Sequence, residues 1–387
     1  MSQSKRYRLY VHVITYCLTV ISVVVLSGCS SMPLQNAMFK GDIEKAQQLI
    51  VEKQDIDKPN SLGFRPLHIA ADKGQSEIFK ALVAQGVTID PKASTGWTPL
   101  MFAVMRGYRT MVEVLVEKGA DVNARNNDGG TPIMIASYNG RESIFDYLLD
   151  KGASLDIKAN NGLTALMMAS ENGHLSIANK LIKLGVDVNV GNDAGWTPLM
   201  FAAKSGSDDL VQILIDKGAD INAQNKGGAS PALIAVSHDH MALATKMIHL
   251  GAQPVGIDSY VDDTFASAKL YKLMAEIREK EGNNDKAKER YQTAATFFEK
   301  ASVGYKEKAG EMKKSFWKAT FANALVAGIA AGGATYQAQQ TGGVGMQSYQ
   351  QVGTGRFVEL EKIFTAKAEQ CHALAVECSS LSQKLRQ

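Results

Sequence analysis

The chain has 387 residues, 45% hydrophobic and 21% charged, with 42 Lys and Arg against 39 Asp and Glu. This is ordinary globular material, long enough for more than one folded region. The small basic surplus belongs to Lys5, Arg6 and Arg8; without residues 1–28 the signs balance at 39 each, which excludes an overall charge that would call for nucleic acid or an anionic surface.

Those three cations open the chain as the basic region of a secretory signal. An uncharged, largely apolar run follows from Leu9 to Leu26 and closes on Ser27-Gly28-Cys29, with no charge until Lys40. The ending resembles the lipobox of bacterial lipoproteins, which implies cleavage after residue 28 and a lipid on Cys29. Ser30 behind it implies the outer membrane, facing the periplasm, over the inner one. A plain membrane-spanning anchor with an incidental cysteine is the alternative, because the run is about long enough to span. With Cys17 removed and Cys29 lipidated, Cys371 and Cys378 remain in an oxidising compartment.

From Met32 to Pro254 a phrase returns every 33 residues: Pro33, Pro66, Pro99, Pro132, Pro198 and Pro231 keep one register and Ala165 fills the missing beat. Such a period marks units that bury their apolar faces only against one another. Thr98, Thr131, Thr164, Thr197 and Ser230 stand where a hydroxyl caps a helix, and Pro suits the first helical position. Gly41, Gly74, Gly107, Gly140, Gly173 and Gly206 predict the end of a short first helix. Met111-Val112-Glu113-Val114-Leu115-Val116 shows the spacing of a second, amphipathic one. Gly119, Gly152, Gly185, Gly218 and Gly251 stop it, and tails such as Ala120-Asp121-Val122-Asn123-Ala124 lead into a turn. The first unit lacks the Gly-Ala-Asp ending, and the seventh has Asp239 in place of glycine, as terminal caps do.

These features resemble the ankyrin repeat, with its T-P-L-H-x-A phrase, paired helices and G-A-D-x-N-A tail. The resemblance implies an all-α solenoid of seven units over residues 32–254, with β-turn fingers. The histidine of the phrase stands only at His68; Gln35 replaces it in the first unit and Met or Leu in the rest. The family's histidine bonds across the turn, so rigidity here is expected to lean on packing. The family binds proteins through its finger tips and the concave side of the first helices. Carried over by position, that face comprises Phe64, Trp97, Gly130, Leu163, Trp196 and Ala229, and the pairs before each first-helix glycine. Partner contact is expected at Phe64, Trp97, Met105, Arg106, Tyr138, Asn139, Leu163, Trp196 and Lys204, with exposed aromatics as hot spots. Alternatively the indoles stack along neighbouring fingers and serve packing alone.

Beyond Val255 the comb stops. Residues 255–315 read as a charged helical hairpin broken at Gly282-Asn283-Asn284-Asp285, although Tyr271, Gly282, Ala287, Tyr291 and Ala294 also sit near tetratricopeptide spacing. From Ala319 to Gly355 there is no charged residue. Ala324, Gly328 and Gly332 permit close helix approach in a self-associating or buried helix, or in a membrane, and 341–355 reads as a linker. Phe357, Leu360, Phe364, Cys371, Leu374, Cys378, Leu381 and Leu385 form an apolar stripe broken at Lys367. In a straight helix Cys371 and Cys378 rise about 10.5 Å apart, beyond the roughly 7 Å a disulfide tolerates. The helix bends, or each bonds another chain, or both are buried thiols.

No phosphate loop, nucleophile elbow, zinc motif or dinucleotide fingerprint is present. His238-Asp239-His240 follows the repeat, since His240 stands where His174 does two units earlier. The sequence therefore predicts a non-enzymatic scaffold without cofactor or metal that binds another protein. A structural or assembly role through self-association of residues 319–387 is the second expectation.

Overall fold

The computed structural model describes residues 32–253, 261–334 and 347–385, with side chains except at 261–263, 312–358, 360 and 361. The expected signal sequence and Cys29, the middle of the expected linker, and the side chains of Ala324, Gly328, Gly332, Phe357 and Leu360 lie outside the described residues. The described residues fall into two compact units, divided between Ala219 and Asp220. Among the described residues every regular element is a helix, so the fold is all-α.

The first unit contains six helix pairs: α1 (Pro33–Lys40) and α2 (Ile43–Val51), α3 (Pro66–Lys73) and α4 (Ser76–Ala84), α5 (Pro99–Arg106) and α6 (Arg109–Glu117), α7 (Pro132–Tyr138) and α8 (Glu142–Asp150), α9 (Ala165–Glu171) and α10 (Leu175–Lys183), α11 (Pro198–Ser205) and α12 (Asp208–Asp216). The first helices stack in one layer and the second helices in another. Thr98, Thr164 and Thr197 hydroxyls accept from the amides of Met101, Met167 and Met200, as helix caps do. Each second helix buries one stripe: Ile78, Phe79 and Leu82 in α4, Ile144, Phe145 and Leu148 in α8, Leu210, Val211 and Leu214 in α12. Every such side chain contributes roughly 1.5–3 kcal/mol.

Between pairs the chain projects a hairpin finger. Within fingers, Ala93 N donates to Trp97 O at 2.9 Å and Asn192 N to Trp196 O at 3.0 Å. Between fingers a backbone ladder runs along the unit: Ser94 N to Leu62 O, Asn127 N to Thr95 O, Asn160 N to Asp128 O and Asp193 N to Asn161 O, each 2.8–3.0 Å. Finger spacing thus rests on main-chain bonds, reinforced by side-chain bonds such as Asn127 Nδ2 to Ser94 O and Asn160 Nδ2 to Asn127 O, both 2.8 Å.

His68 spans to the next finger. Arg65 N–H donates to its Nδ1 at 3.0 Å, so the ring proton sits on Nε2 and is shared by Pro91 O at 3.0 Å and Trp97 O at 3.1 Å. Gln35 does the same one unit earlier, with Nε2 donating to Lys58 O at 2.9 Å and Phe64 O at 3.1 Å. The first unit therefore keeps the bridging bond with a different side chain. Met101, Met134, Met167 and Met200 occupy the position elsewhere, at most 1% exposed.

The second unit begins with the seventh pair, α13 (Pro231–Ser237) and α14 (Met241–His249), packed against α15 (Val261–Lys280). Asp239 takes the left-handed conformation its glycine-bearing counterparts take, at φ 63°, and pairs with Lys269 at 3.0 Å. Asp is among the few residues that tolerate this backbone. Gly282 ends α15, and α16 (Asn284–Ala334) returns as the hairpin the charge pattern predicts. A third helix, α17 (Gln347–Lys384), runs antiparallel along α16; it starts inside the stretch read as linker.

Tyr291, Phe298 and Tyr305 line the inner face of α16. Opposite them stand Ala368, Cys371, Ala375 and Cys378 of α17. Lys367, the break in the apolar stripe, lays its ammonium over the Tyr305 ring at 5.2 Å. Cys371 and Cys378 are free and fully buried in separate clusters, so of the three alternatives the buried thiols are found. Burial pushes both thiols up to about 11, which leaves about one thiolate in a thousand at pH 8 against about a quarter for a free thiol. In a chain lacking residues 1–29, a thiol reagent at pH 8 should leave both untouched for an hour and modify both within minutes in urea. Rapid modification of the native chain would contradict this packing.

Candidate partner-binding face

The residues expected to contact a partner, Phe64 to Lys204, all lie within the first unit, where fingers and the ends of the first helices meet. The most prominent features of this face are two aromatic ledges in equivalent positions three repeats apart. The Trp97 ring lies 5.0 Å from Phe102, and Trp196 lies 5.2 Å from Phe201, both tilted by 42°. Each indole rests on the first helix of its own unit and remains half-buried, with part of its surface open. Such a pedestal fixes a large aromatic at little further entropy cost on binding.

The other expected contact residues separate into three groups. Phe64, Met105 and Leu163 are 8%, 7% and 4% exposed, so the expectation of exposed contact groups is corrected there. Phe64 is enclosed by His68 at 5.6 Å and Phe102 at 5.7 Å, which places it beneath the Trp97 ledge. Arg106 and Lys204 are half-buried but already ion-paired to the preceding repeat. Arg106 Nη2 reaches Asp72 at 2.7 Å, and Lys204 Nζ reaches Glu171 at 2.7 Å. Both carboxylates are the more enclosed partners, at 15% and 10% exposure, so these pairs tie repeats together and neutralise the charge they present. Tyr138 and Asn139 form the uncharged centre. Asn139 Nδ2 donates to Ile135 O, and burial followed by the Glu171 carboxylate raises the Tyr138 hydroxyl above its ordinary range. The phenol is therefore a neutral donor at physiological pH.

A column of cations escapes a reading confined to aromatic positions. Lys92, Arg125 and Lys158 stand at consecutive bases of three fingers, all exposed, at the 33-residue interval of the comb. Lys92 Nζ donates to Arg125 O at 3.4 Å, and Arg125 Nη2 donates to Lys158 O at 3.0 Å and Asn160 Oδ1 at 3.3 Å. The signal is in the sequence, five positions ahead of the tryptophan column.

Among the described residues no group of three or more His, Cys, Asp or Glu is placed to hold a metal ion. His238 and Asp239 are engaged locally: the His238 ring meets Ile234 O at 3.0 Å, and Asp239 pairs with Lys269.

Stacked helix pairs, laddered fingers and a side-chain-rich face define a helical-repeat binding scaffold. The family model for ankyrin repeats (3 copies) matches residues 34–126, 120–192 and 180–258, more than half of the chain. The chain belongs to the ankyrin repeat family, whose arrays serve protein–protein interaction. No curated protein matches it.

Proposed function

We propose that this chain is a lipid-anchored scaffold of a bacterial envelope. Cys29 tethers it to the outer membrane, and the finger and concave face of the first unit holds a protein partner in the periplasm. The observation that carries the binding role is the pair of half-open indoles, Trp97 and Trp196, mounted identically on Phe102 and Phe201. Aromatic anchors of this kind contribute disproportionately to interface energy. The anchoring role rests on the basic start, the apolar run and the Ser27-Gly28-Cys29 ending.

Replacing both Trp97 and Trp196 by Ala should weaken partner capture from envelope extracts at least tenfold, while circular dichroism and urea unfolding remain close to the parent. Full capture by the double variant would overturn the face assignment. Cys29→Ser should abolish acyl labelling and release the chain from the membrane fraction; persistence there would overturn the anchor.

A second role in assembly draws on the C-terminal region. α16 continues to Ala334 through a stretch that carries no charge from 319 to 355, and Val303, Ile363 and Val376 are exposed apolar side chains on α16 and α17. Among the described residues no helix is long and apolar enough to cross a membrane, so helix–helix association fits this stretch better than a span.

A further inference from the structure

We infer that the face described above takes an extended, sparsely acidic peptide segment, with the Lys92–Arg125–Lys158 column reading its carboxylates and the tryptophan ledges its apolar side chains. The inference rests on the proposed binding face and adds the chemistry of what that face accepts.

The charges of the face divide sharply. Arg106 and Lys204 are spent on Asp72 and Glu171 of their neighbouring repeats. Among the described residues no carboxylate forms an ion pair with Lys92, Arg125 or Lys158. Their near neighbours are backbone carbonyls and the Asn160 amide, and Lys92 acts on the half-buried Asp90 only through space. Exposed cations that have backbone acceptors and no counter-ion retain their full attraction for an arriving carboxylate. They are also held in place: each of the first two leans across onto the finger that bears the next, so less side-chain freedom is lost on binding.

Spacing selects the shape of the partner. The fingers are locked together by the backbone ladder, and their first helices stack at about 8–10 Å. A peptide in the extended polyproline II conformation rises about 3.1 Å per residue with three residues per turn, so an acidic group at every third residue returns to the same side about every 9 Å and meets one cation per finger. A helical partner would pass such a distance in about six residues and present its acids around its girth. Dense polyanions fit less well, because Asp128 and the exposed Asp156 lie on the Arg125 and Lys158 fingers, and the exposed Asp193 on the next one, and they would repel a continuous run of phosphates. Beside the column stand Trp97 in the Lys92 finger and Trp196 one finger beyond Lys158, which supply apolar ledges at both ends.

Fluorescence anisotropy on the full chain in detergent tests this with labelled twelve-residue peptides of repeated Glu-Leu-Thr, Gln-Leu-Thr and Lys-Leu-Thr, and with a twelve-residue oligothymidine. The acidic peptide should bind at least tenfold tighter than the amide peptide at 50 mM salt. That advantage should shrink severalfold at 300 mM, where screening falls below the finger spacing. Combined Lys92→Ser, Arg125→Ser and Lys158→Ser should erase the preference, and Lys92→Glu with Lys158→Glu should transfer it to the Lys-Leu-Thr peptide. Equal affinity for acidic and amide peptides, or no effect of the serine variant, would overturn the cation assignment while leaving the tryptophan face standing. Unchanged binding of the acidic peptide by Trp97→Ala/Trp196→Ala would overturn the face itself. Tighter binding of oligothymidine than of the acidic peptide would replace a peptide partner by a nucleic acid, and no binding of any peptide at millimolar concentration would refute the inference.

Discussion

Between pH 6.5 and pH 4 the first unit should lose about 3 kcal/mol of stability through His68 alone. The imidazole is fully buried, and its pKa falls from 6.5 to about 4; desolvation is the largest cause, and the nearby Arg65 charge adds to it against the backbone carbonyls. The unfolded chain protonates near 6.5 and the folded chain only near 4, so the unfolded state binds more protons throughout that window. Stability is therefore complete above about pH 6.5, declines as pH falls, and levels off below about pH 4. A shift of about 2.5 units at about 1.4 kcal/mol per unit gives the figure. The bonding explains the sign: Nδ1 accepts from Arg65 N–H, and a second ring proton there would face a donor. His68→Gln copies the bond Gln35 makes, without an acceptor for Arg65 N–H, and should cost about 1 kcal/mol at pH 7. It should remove the His68 share of the acid sensitivity, so that the variant becomes the more stable protein below about pH 5.5. Urea midpoints of both proteins from pH 4 to 8 decide it. Parallel curves would show that the imidazole titrates normally in the fold.

What the sequence discloses here is whatever a single unit decides by itself. A helix start needs only a hydroxyl followed directly by a proline, so Thr98-Pro99 and Thr197-Pro198 are legible, as are Gly107 and Gly206 at the helix ends. Gln35 was not recognisable as a stand-in for His68, because its acceptors, Lys58 and Phe64, come from 23 and 29 residues downstream. The depth of Phe64, Met105 and Leu163 escaped for the same reason: column membership fixes which face a side chain serves, and its neighbours fix how much of it remains open. The Arg106–Asp72 pair crosses between repeats, and reading Arg106 alone overstates the charge available to a partner. In the C-terminal bundle Ala368 and Ala375 carry much of the close approach. A search for bulky apolar residues passes over them, and Lys367 looks like a flaw until Tyr305 is placed beneath it.

Gly96→Ala should cost about 3–5 kcal/mol, whereas Gly119→Ala should cost about 1–2, although both glycines have positive φ. Gly96 sits at φ 77°, and a Cβ there would lie 2.6 Å from Asn127 N and 3.0 Å from the Asn126 carbonyl carbon. Those are main-chain atoms of the next finger, and Asn127 N is the donor of the ladder bond to Thr95 O at 3.0 Å. Asn127 Oδ1, 2.5 Å from the same position, belongs to a side chain that can turn away, but the main-chain atoms cannot, so the methyl adds the loss of an inter-finger hydrogen bond to the backbone strain. Gly119 sits at φ 94° with nothing within 4 Å of its Cβ position, so only the backbone term applies. The difference between the two variants isolates the ladder from the left-handed conformation that both share. Equal costs would mean that fingers part without penalty and that the ladder does not set their spacing. The binding face responds to the same substitution, because Trp97 follows Gly96 directly and Arg125 stands two residues before Asn127. Gly96→Ala should accordingly impair partner binding in protein that remains folded at low temperature, and Gly119→Ala should not. That pairing of stability and binding would show that the spacing of the fingers, as much as the side chains upon them, determines what this scaffold holds.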